Sequence, residues 1–290
     1  MNADSGPQVP DVFNSALTIR IASALVMIPP ALAAIYFGSP WFDLLICVGA
    51  LVLAWEWTGL TGCSPLRGWL VAVATGSAVL AIALSEPLIA IAILMVTAIV
   101  IVFIRNQTVQ SESSPAAHSE LNHPIWSAVG VVYIGIPCVA LVWLRGEPIG
   151  AGRDTILWLF LVIWAADCGA YLFGRVIGGP LLAPTISPKK TWSGLIGSVA
   201  CAGAMGGAFA ATLEKEELLS IVLFSAILGV VEQGGDLGES WLKRRSGRKD
   251  SSRLIPGHGG LFDRVDGLLV AAVVVAFIAL MDDGEGLAWM

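Results

Sequence analysis

Charge is what this chain has least of. Only 13% of its 290 residues are Asp, Glu, Lys or Arg, while 56% are hydrophobic; a soluble domain carries about 25% charged residues. That balance argues against a water-soluble globule and for an integral membrane protein. Cysteine is sparse as well. The five cysteines (Cys47, Cys63, Cys138, Cys168 and Cys201) are scattered with no CxxC pair, which argues against a disulfide framework or a zinc site and leaves them as small buried hydrophobes. There is no GxxxxGK[ST] loop, no GxSxG elbow and no HExxH, so a phosphate enzyme built here has to hold its nucleotide some other way. The polar stretch 1–16 carries Asp4 and Asp11 but no Lys or Arg. It therefore lacks the cationic flank of a secretory signal and reads as a short disordered cytoplasmic tail.

Long apolar runs are what the chain does have. They predict an all-α, polytopic membrane protein of about nine transmembrane helices, over 17–37, 41–60, 69–84, 87–104, 125–144, 155–175, 192–211, 218–242 and 261–281. Pro29, Pro30 and Pro137 fall inside spans and predict kinks there. The organisation expected is the tail, N-terminal transmembrane helices over 17–145, and a C-terminal transmembrane catalytic region over 155–282, with one long polar loop at 105–124. With the N-terminus inside, the inner loops and adjoining helix ends hold Arg20, Arg67, Arg105, Arg175, Lys189, Lys190, Lys243, Arg244, Arg245, Arg248, Lys249, Arg253 and Arg264. The outer ones hold only Arg145, Arg153 and Lys215. Cations on the cytoplasmic side set this orientation.

Seven carboxylates of the spans then fall on the same side, although they took no part in fixing it; Asp43, at the outer lip of the second span, is the exception. Glu56, Asp167, Glu232, Asp236 and Glu239 lie late in inward-running spans, and Asp263 and Asp266 lie early in the last span, which runs outward. The uncharged part of the eighth span, 218–231, is too short at about 1.5 Å per residue to cross a core of about 30 Å. Its helix must therefore carry Glu232, Asp236 and Glu239 into the membrane, where acids need a wet cavity, a cation or a metal. Asp236, Glu239, Ser240 and Lys243 share one helix face, and Asp263 and Asp266 share another. Two such oxygen-rich helix ends suit Mg²⁺, which takes few carboxylates and completes its shell with phosphate and water. The alternative is simple pairing with Lys243 and Arg264. Ser187, Lys189, Lys190 and Thr191 are expected to open the seventh helix as an anion site, unless the lysines only snorkel to headgroups. The glycines around His258 suit a close backbone approach or a tight turn.

The stretch 240–267, SWLKRRSGRKDSSRLIPGHGGLFDRVDG, closely resembles the C-terminal signature of phosphatidate cytidylyltransferases, the CDP-diacylglycerol synthases. GDLGES at 235–240, DCGAYLFGR at 167–175, LAPTISPKKTW at 182–192, YIGIP at 133–137 and the Glu56-Trp57 pair resemble that family too. Two positions depart from its pattern: Ser193 stands where Glu is usual, and Gly238 where a bulky apolar residue is usual. The resemblance implies the reaction CTP + phosphatidate → CDP-diacylglycerol + pyrophosphate, with Mg²⁺ and a second cation such as K⁺, in the cell inner membrane with the site facing the cytoplasm. It implies Asp236 and Asp263 as the metal pair. Lys189, Lys190, Lys243, Arg244 and Lys249 would hold phosphates, and Asp167, Ser187, Asp250, His258, Arg264 and Asp266 would complete a polar catalytic cavity. The implied partners are CTP and phosphatidate from the bilayer, with no nucleic acid; the oligomeric state, a homodimer included, stays open. Another membrane enzyme that uses CTP, such as a polyprenol kinase, is the nearest rival. A transporter would need polar residues running on to the far side, and the outer halves of these spans have few.

Overall fold

The computed structural model describes residues 26–104, 121, 123–146, 151–214, 217–255 and 259–281. The expectations for 1–16, 17–25, most of the loop 105–124, His258 and the segment after Met281 lie outside the described residues.

The architecture is the expected all-α membrane type. The helices are α1 (Val26–Phe37), α2 (Trp41–Thr61), α3 (Pro65–Ala83), α4 (Pro87–Phe103), α5 (Pro124–Gly146), α6 (Ala151–Val176), α7 (Trp192–Thr212), α8 (Leu218–Arg245) and α9 (Phe262–Met281). Seven of them are long and apolar enough to cross a membrane; α1 and α4 are shorter apolar helices. Pro137 lies within α5, and Pro29 and Pro30 within α1, so both helices run on through their prolines. Large apolar side chains such as Leu88 (84% exposed) and Phe103 (82%) face outward, as a lipid-facing surface requires.

One element departs from the sequence reading. Leu181–Ala183 (β1) and Ser187–Thr191 (β2) pair antiparallel, with Leu181 opposite Thr191 and Ala183 opposite Ser187. Lys189 and Lys190 therefore sit on a strand and not on a helix N-terminus. α7 begins only at Trp192, where Thr191 caps it by accepting the Gly194 N–H at 3.1 Å. Ser193, the departure from the family pattern, donates to the Gly178 carbonyl at 2.5 Å and bonds the Thr191 hydroxyl at 2.9 Å, so it fastens the hairpin to the helix.

The C-terminal half is held by close backbone approach. α7 packs between α6 and α8. A Cβ on Gly197 would stand 2.5 Å from the Phe173 Cβ and 2.7 Å from the Gly169 carbonyl oxygen, and one on Gly229 would stand 3.0 Å from the Ser198 carbonyl oxygen. Small residues at such crossings let helices associate in lipid, where apolar burial supplies no drive. Gly197→Leu is accordingly expected to force α6 and α7 apart and lower the melting temperature in detergent. Overpacking of this kind costs about 1–3 kcal/mol, and a variant melting with the wild type would refute the tight crossing. The N-terminal half is joined to α9 by an aromatic cluster. Trp57 of α2, Tyr133 of α5 and Phe262 of α9 have ring centroids 5.5–5.9 Å apart, and the Trp57 indole donates to the Trp126 carbonyl at 2.9 Å.

Candidate active site

Four elements bring their polar residues to one end of the bundle: the late part of α6, β2, the late part of α8 and the start of α9. Asp236, Glu239 and Asp266 each offer a carboxylate oxygen, and these atoms lie within 4.8 Å of one another. The first two are one turn apart on α8 and the third comes from α9. Glu239 is buried, and its Oε1 has no hydrogen-bond partner among the described residues. A buried acid oxygen left unmatched is costly, and a cation would satisfy it. The site therefore fits a hard, oxygen-seeking metal ion on its own chemistry.

Two lysines flank the acids. Lys190 reaches in from β2 to the Asp236 carboxylate at 2.7 Å and to the Gln233 side-chain oxygen at 2.9 Å. Lys243 bridges Glu239 at 2.5 Å and Asp263 at 2.6 Å. Behind them Gln233 donates to Glu232 at 2.8 Å, and Asp167 of α6 lies against Glu232. Each lysine thus joins two helices or a helix and the hairpin; Lys243 is held by two buried acid side chains and Lys190 by the partly covered Asp236.

Asp263 is more heavily engaged than Asp236, whose oxygens take the Ser240 hydroxyl at 3.2 Å and Lys190 at 2.7 Å: four donors reach the two oxygens of Asp263. Oδ1 takes Lys243, while Oδ2 accepts the Ser251 N–H at 3.0 Å, the Ser251 hydroxyl at 2.8 Å and the Gly260 N–H at 2.8 Å. It lies beside the three-acid cluster and not within it. Of the metal pair implied by the sequence, the structure brings Asp236 into the cluster with Glu239 and Asp266, and gives Asp263 to Lys243 and the loop backbone.

The remaining expected residues spread around this centre. Lys189, Arg244, Lys249, Asp250 and Arg264 are exposed, and Ser187 is half-buried on β2. Arg244 donates to the Ile186 carbonyl at 3.4 Å, so the end of α8 touches the hairpin turn.

Glu56 is the residue whose work the sequence did not reveal. It is buried on α2, far from α9 in sequence, yet it accepts the backbone N–H groups of Leu261 (2.9 Å) and Phe262 (2.6 Å) and the hydroxyl of Ser252 (2.6 Å). The Ser251 hydroxyl lies 3.3 Å away and is shared with Asp263. These two N–H groups open α9 and have no partner inside the helix. A carboxylate there satisfies them and meets the positive end of the helix dipole. Gly260 lies where any Cβ would collide with Ser251 and Glu56, which explains one glycine of the signature. The sequence signalled Glu56 only by its depth in an apolar run and by the likeness of the Glu56-Trp57 pair to the family, neither of which points to α9.

Residues 18–281 match the Cytidylyltransferase family. A protein of Brucella suis biovar 1 named phosphatidate cytidylyltransferase is 38% identical over 267 residues, covering 90% of this chain and 92% of its own length. One of the same name from Pseudomonas aeruginosa is 37% identical over 264 residues, covering 89% and 94%.

Proposed function

The chain belongs to the cytidylyltransferase family, and from that premise we infer that it makes CDP-diacylglycerol and pyrophosphate from CTP and phosphatidate. The observation that carries this reading beyond the likeness is the pairing of a three-acid cluster with Lys190 and Lys243 at one end of an apolar bundle.

A phosphate oxygen of phosphatidate attacks the α-phosphorus of CTP, and the bond to the bridging oxygen of the β-phosphate breaks. The nucleophile is already an anion, so no strong base and no covalent enzyme intermediate are needed. What the protein must do is bring two polyanions together and neutralise the charge that gathers on the departing pyrophosphate. Lys190 and Lys243 stand where they can exchange their carboxylate partners for phosphate oxygens; Lys189, Arg244, Lys249 and Arg264 lie around them as further cations. Asp236, Glu239 and Asp266 would hold a divalent cation, Mg²⁺ by its liking for few carboxylates plus phosphate oxygens. When bound it would polarise the phosphoryl oxygens. A second reading, in which Asp236 and Asp263 hold the ion, is favoured by one observation: Asp263 is separated from Glu239 only by the Lys243 head. A lysine drawn onto phosphate would leave an oxygen of Asp263 free. Asp167, Ser187 and Asp250 would line the polar approaches in either reading, joined by Asp266 in the second, and a second cation such as K⁺ is left to the same acid-rich end.

We propose nine passes, with the shorter α1 and α4 crossing as well as the seven long helices, in the inner membrane of the cell. The site faces the cytoplasm, since the cations of the described residues crowd its end and Arg145 and Arg153 lie at the other. In a chain whose own five cysteines are replaced, Leu181→Cys is expected to react with a membrane-impermeant maleimide only from the cytoplasmic face. Glu86→Cys, in the turn between α3 and α4, should react only from outside. The reverse pattern refutes the orientation.

The reaction is tested with purified protein, phosphatidate in mixed micelles, Mg²⁺ and CTP labelled at either the α- or the γ-phosphate. The α label is expected in the lipid product and the γ label in pyrophosphate. A γ label in the lipid would make the chain a kinase.

A further inference from the structure

Beneath the loop 248–253, on the face of the bundle formed by α2 and α3, lies a groove of about 1130 Å³. It is not the acid cluster, and its walls are of two kinds. Leu51 and Trp55 of α2 and Trp69 and Ala72 of α3 make an apolar trough. Trp55 and Trp69 are 58% and 71% exposed, so the trough opens sideways onto the surface that meets lipid. Arg248, Lys249 and Arg253 close its inner end, and all three are exposed. The acids at that end are Asp250 and Glu56, and Glu56 is already engaged by α9.

A groove with a cationic head and an apolar tail is shaped for an anionic amphiphile. Its volume exceeds the usual range of about 300–1,000 Å³ for small-molecule sites, which favours a lipid over a nucleotide. Three cations at one end answer a phosphomonoester, which carries more charge than the diester of a bulk phospholipid.

Small residues keep the trough open. The Arg248 guanidinium lies over α2, with its Nη1 3.6 Å from where a Cβ on Gly59 would be, and among the described residues no other atom beyond Gly59's own stretch of helix stands within 4 Å of that point. The loop above the groove is also the loop that reaches the acids. Ser251 at its floor holds Asp263 by N–H and hydroxyl, and Asp263 holds Lys243, which holds Glu239.

We propose that this α2–α3 groove is the seat of phosphatidate, with the acyl chains along Leu51, Trp55, Trp69 and Ala72 and the phosphomonoester under Arg248, Lys249 and Arg253. The proposal rests on the cytidylyl transfer inferred above and adds where the lipid enters and lies. Cytosolic nucleotide approaches from the hairpin side, past Lys190, and the lipid from the opposite side of the loop.

The test fills the trough without touching a charged residue. Gly59→Leu and Ala72→Trp are expected to raise the KM for phosphatidate at least about tenfold while leaving the KM for CTP within about twofold. Leu80→Trp, on an exposed part of α3 outside the groove, is expected to leave both unchanged. A phosphatidate carrying a diazirine in its acyl chain is expected to label peptides of α2 and α3 in the wild type, and to lose that labelling in both groove variants. An unchanged KM for phosphatidate in well-folded groove variants overturns the proposal. So does labelling that phosphatidylglycerol competes as well as phosphatidate does, which would make the groove a seat for bulk lipid. Photolabelling reads the groove with no turnover, so a wild type that labels there but makes no CDP-lipid would refute the reaction and keep the groove. A wild type that turns over but labels elsewhere would do the opposite.

Discussion

Glu56→Ala is expected to unfold at a markedly lower temperature than the wild type and to lose most of its turnover. The side chain is buried and accepts hydrogen bonds from two backbone N–H groups and a serine hydroxyl of the loop that opens α9. Alanine leaves those donors facing a cavity. Each buried donor stranded in this way costs about 1–3 kcal/mol, so a loss of at least about 3 kcal/mol is expected. Glu56→Gln should fall between, because its amide oxygen still accepts while its NH₂ confronts N–H groups that also donate. Activity should follow stability, since α9 carries Asp263 and Asp266 in its first turns and its starting point sets their position. Thermal melts in detergent beside specific activity decide the matter. If Glu56→Ala melts with the wild type, Glu56 does not hold the start of α9. If Glu56→Gln keeps full stability and loses all activity, Glu56 acts on the substrates instead.

That role marks the limit of what the sequence disclosed. The spans were legible because a lipid core demands uninterrupted apolar helices: 192–211 and 218–242 were expected, and Trp192–Thr212 and Leu218–Arg245 are found. The gathering of Glu56, Asp167, Glu232, Asp236, Glu239, Asp263 and Asp266 toward one end was legible too, because acids at membrane depth must share whatever compensates them. The hairpin at 181–191 was not legible. Its strands have only three and five residues, and its lysines beside a helix mimic a helix start. The division of labour among the acids was also hidden. Asp236 and Asp263 look alike in the signature and each meets a lysine and a hydroxyl, yet Asp236 sits in the carboxylate cluster while Asp263 also takes two backbone N–H groups of the loop. Only folding decides that, because Ser251 and Gly260 reach Asp263 through the return of the loop.

The acid cluster gives the largest effect on catalysis. Asp236→Asn, Glu239→Gln and Asp266→Asn each keep the shape of the side chain and remove a charge that the ion needs. Turnover is expected to fall about a hundredfold or more in each. Any two together should be little worse than one, because groups that act as a unit are not additive. With no Mg²⁺ present Asp266→Asn should melt no lower than the wild type, since three crowded carboxylates repel one another, whereas Asp236→Asn and Glu239→Gln also take a partner from Lys190 and Lys243 and should lose some stability. Asp263→Asn is expected to behave differently. It leaves Lys243 with Glu239 alone and weakens the hold on Ser251 and Gly260, so its main effect is on stability, by about 1–3 kcal/mol as for buried donors left poorly matched.

The deciding measurement is a Mg²⁺ titration of turnover and of melting temperature on the same preparations of wild type, Asp266→Asn and Asp263→Asn. An ion that binds only the folded state raises the melting temperature as its concentration rises. The account predicts that Mg²⁺ stabilises and activates the wild type, does neither for Asp266→Asn, and still stabilises Asp263→Asn from a lower starting point. An Asp266→Asn protein that titrates like the wild type, with the response lost in Asp263→Asn, would contradict it and place the ion on Asp236 and Asp263.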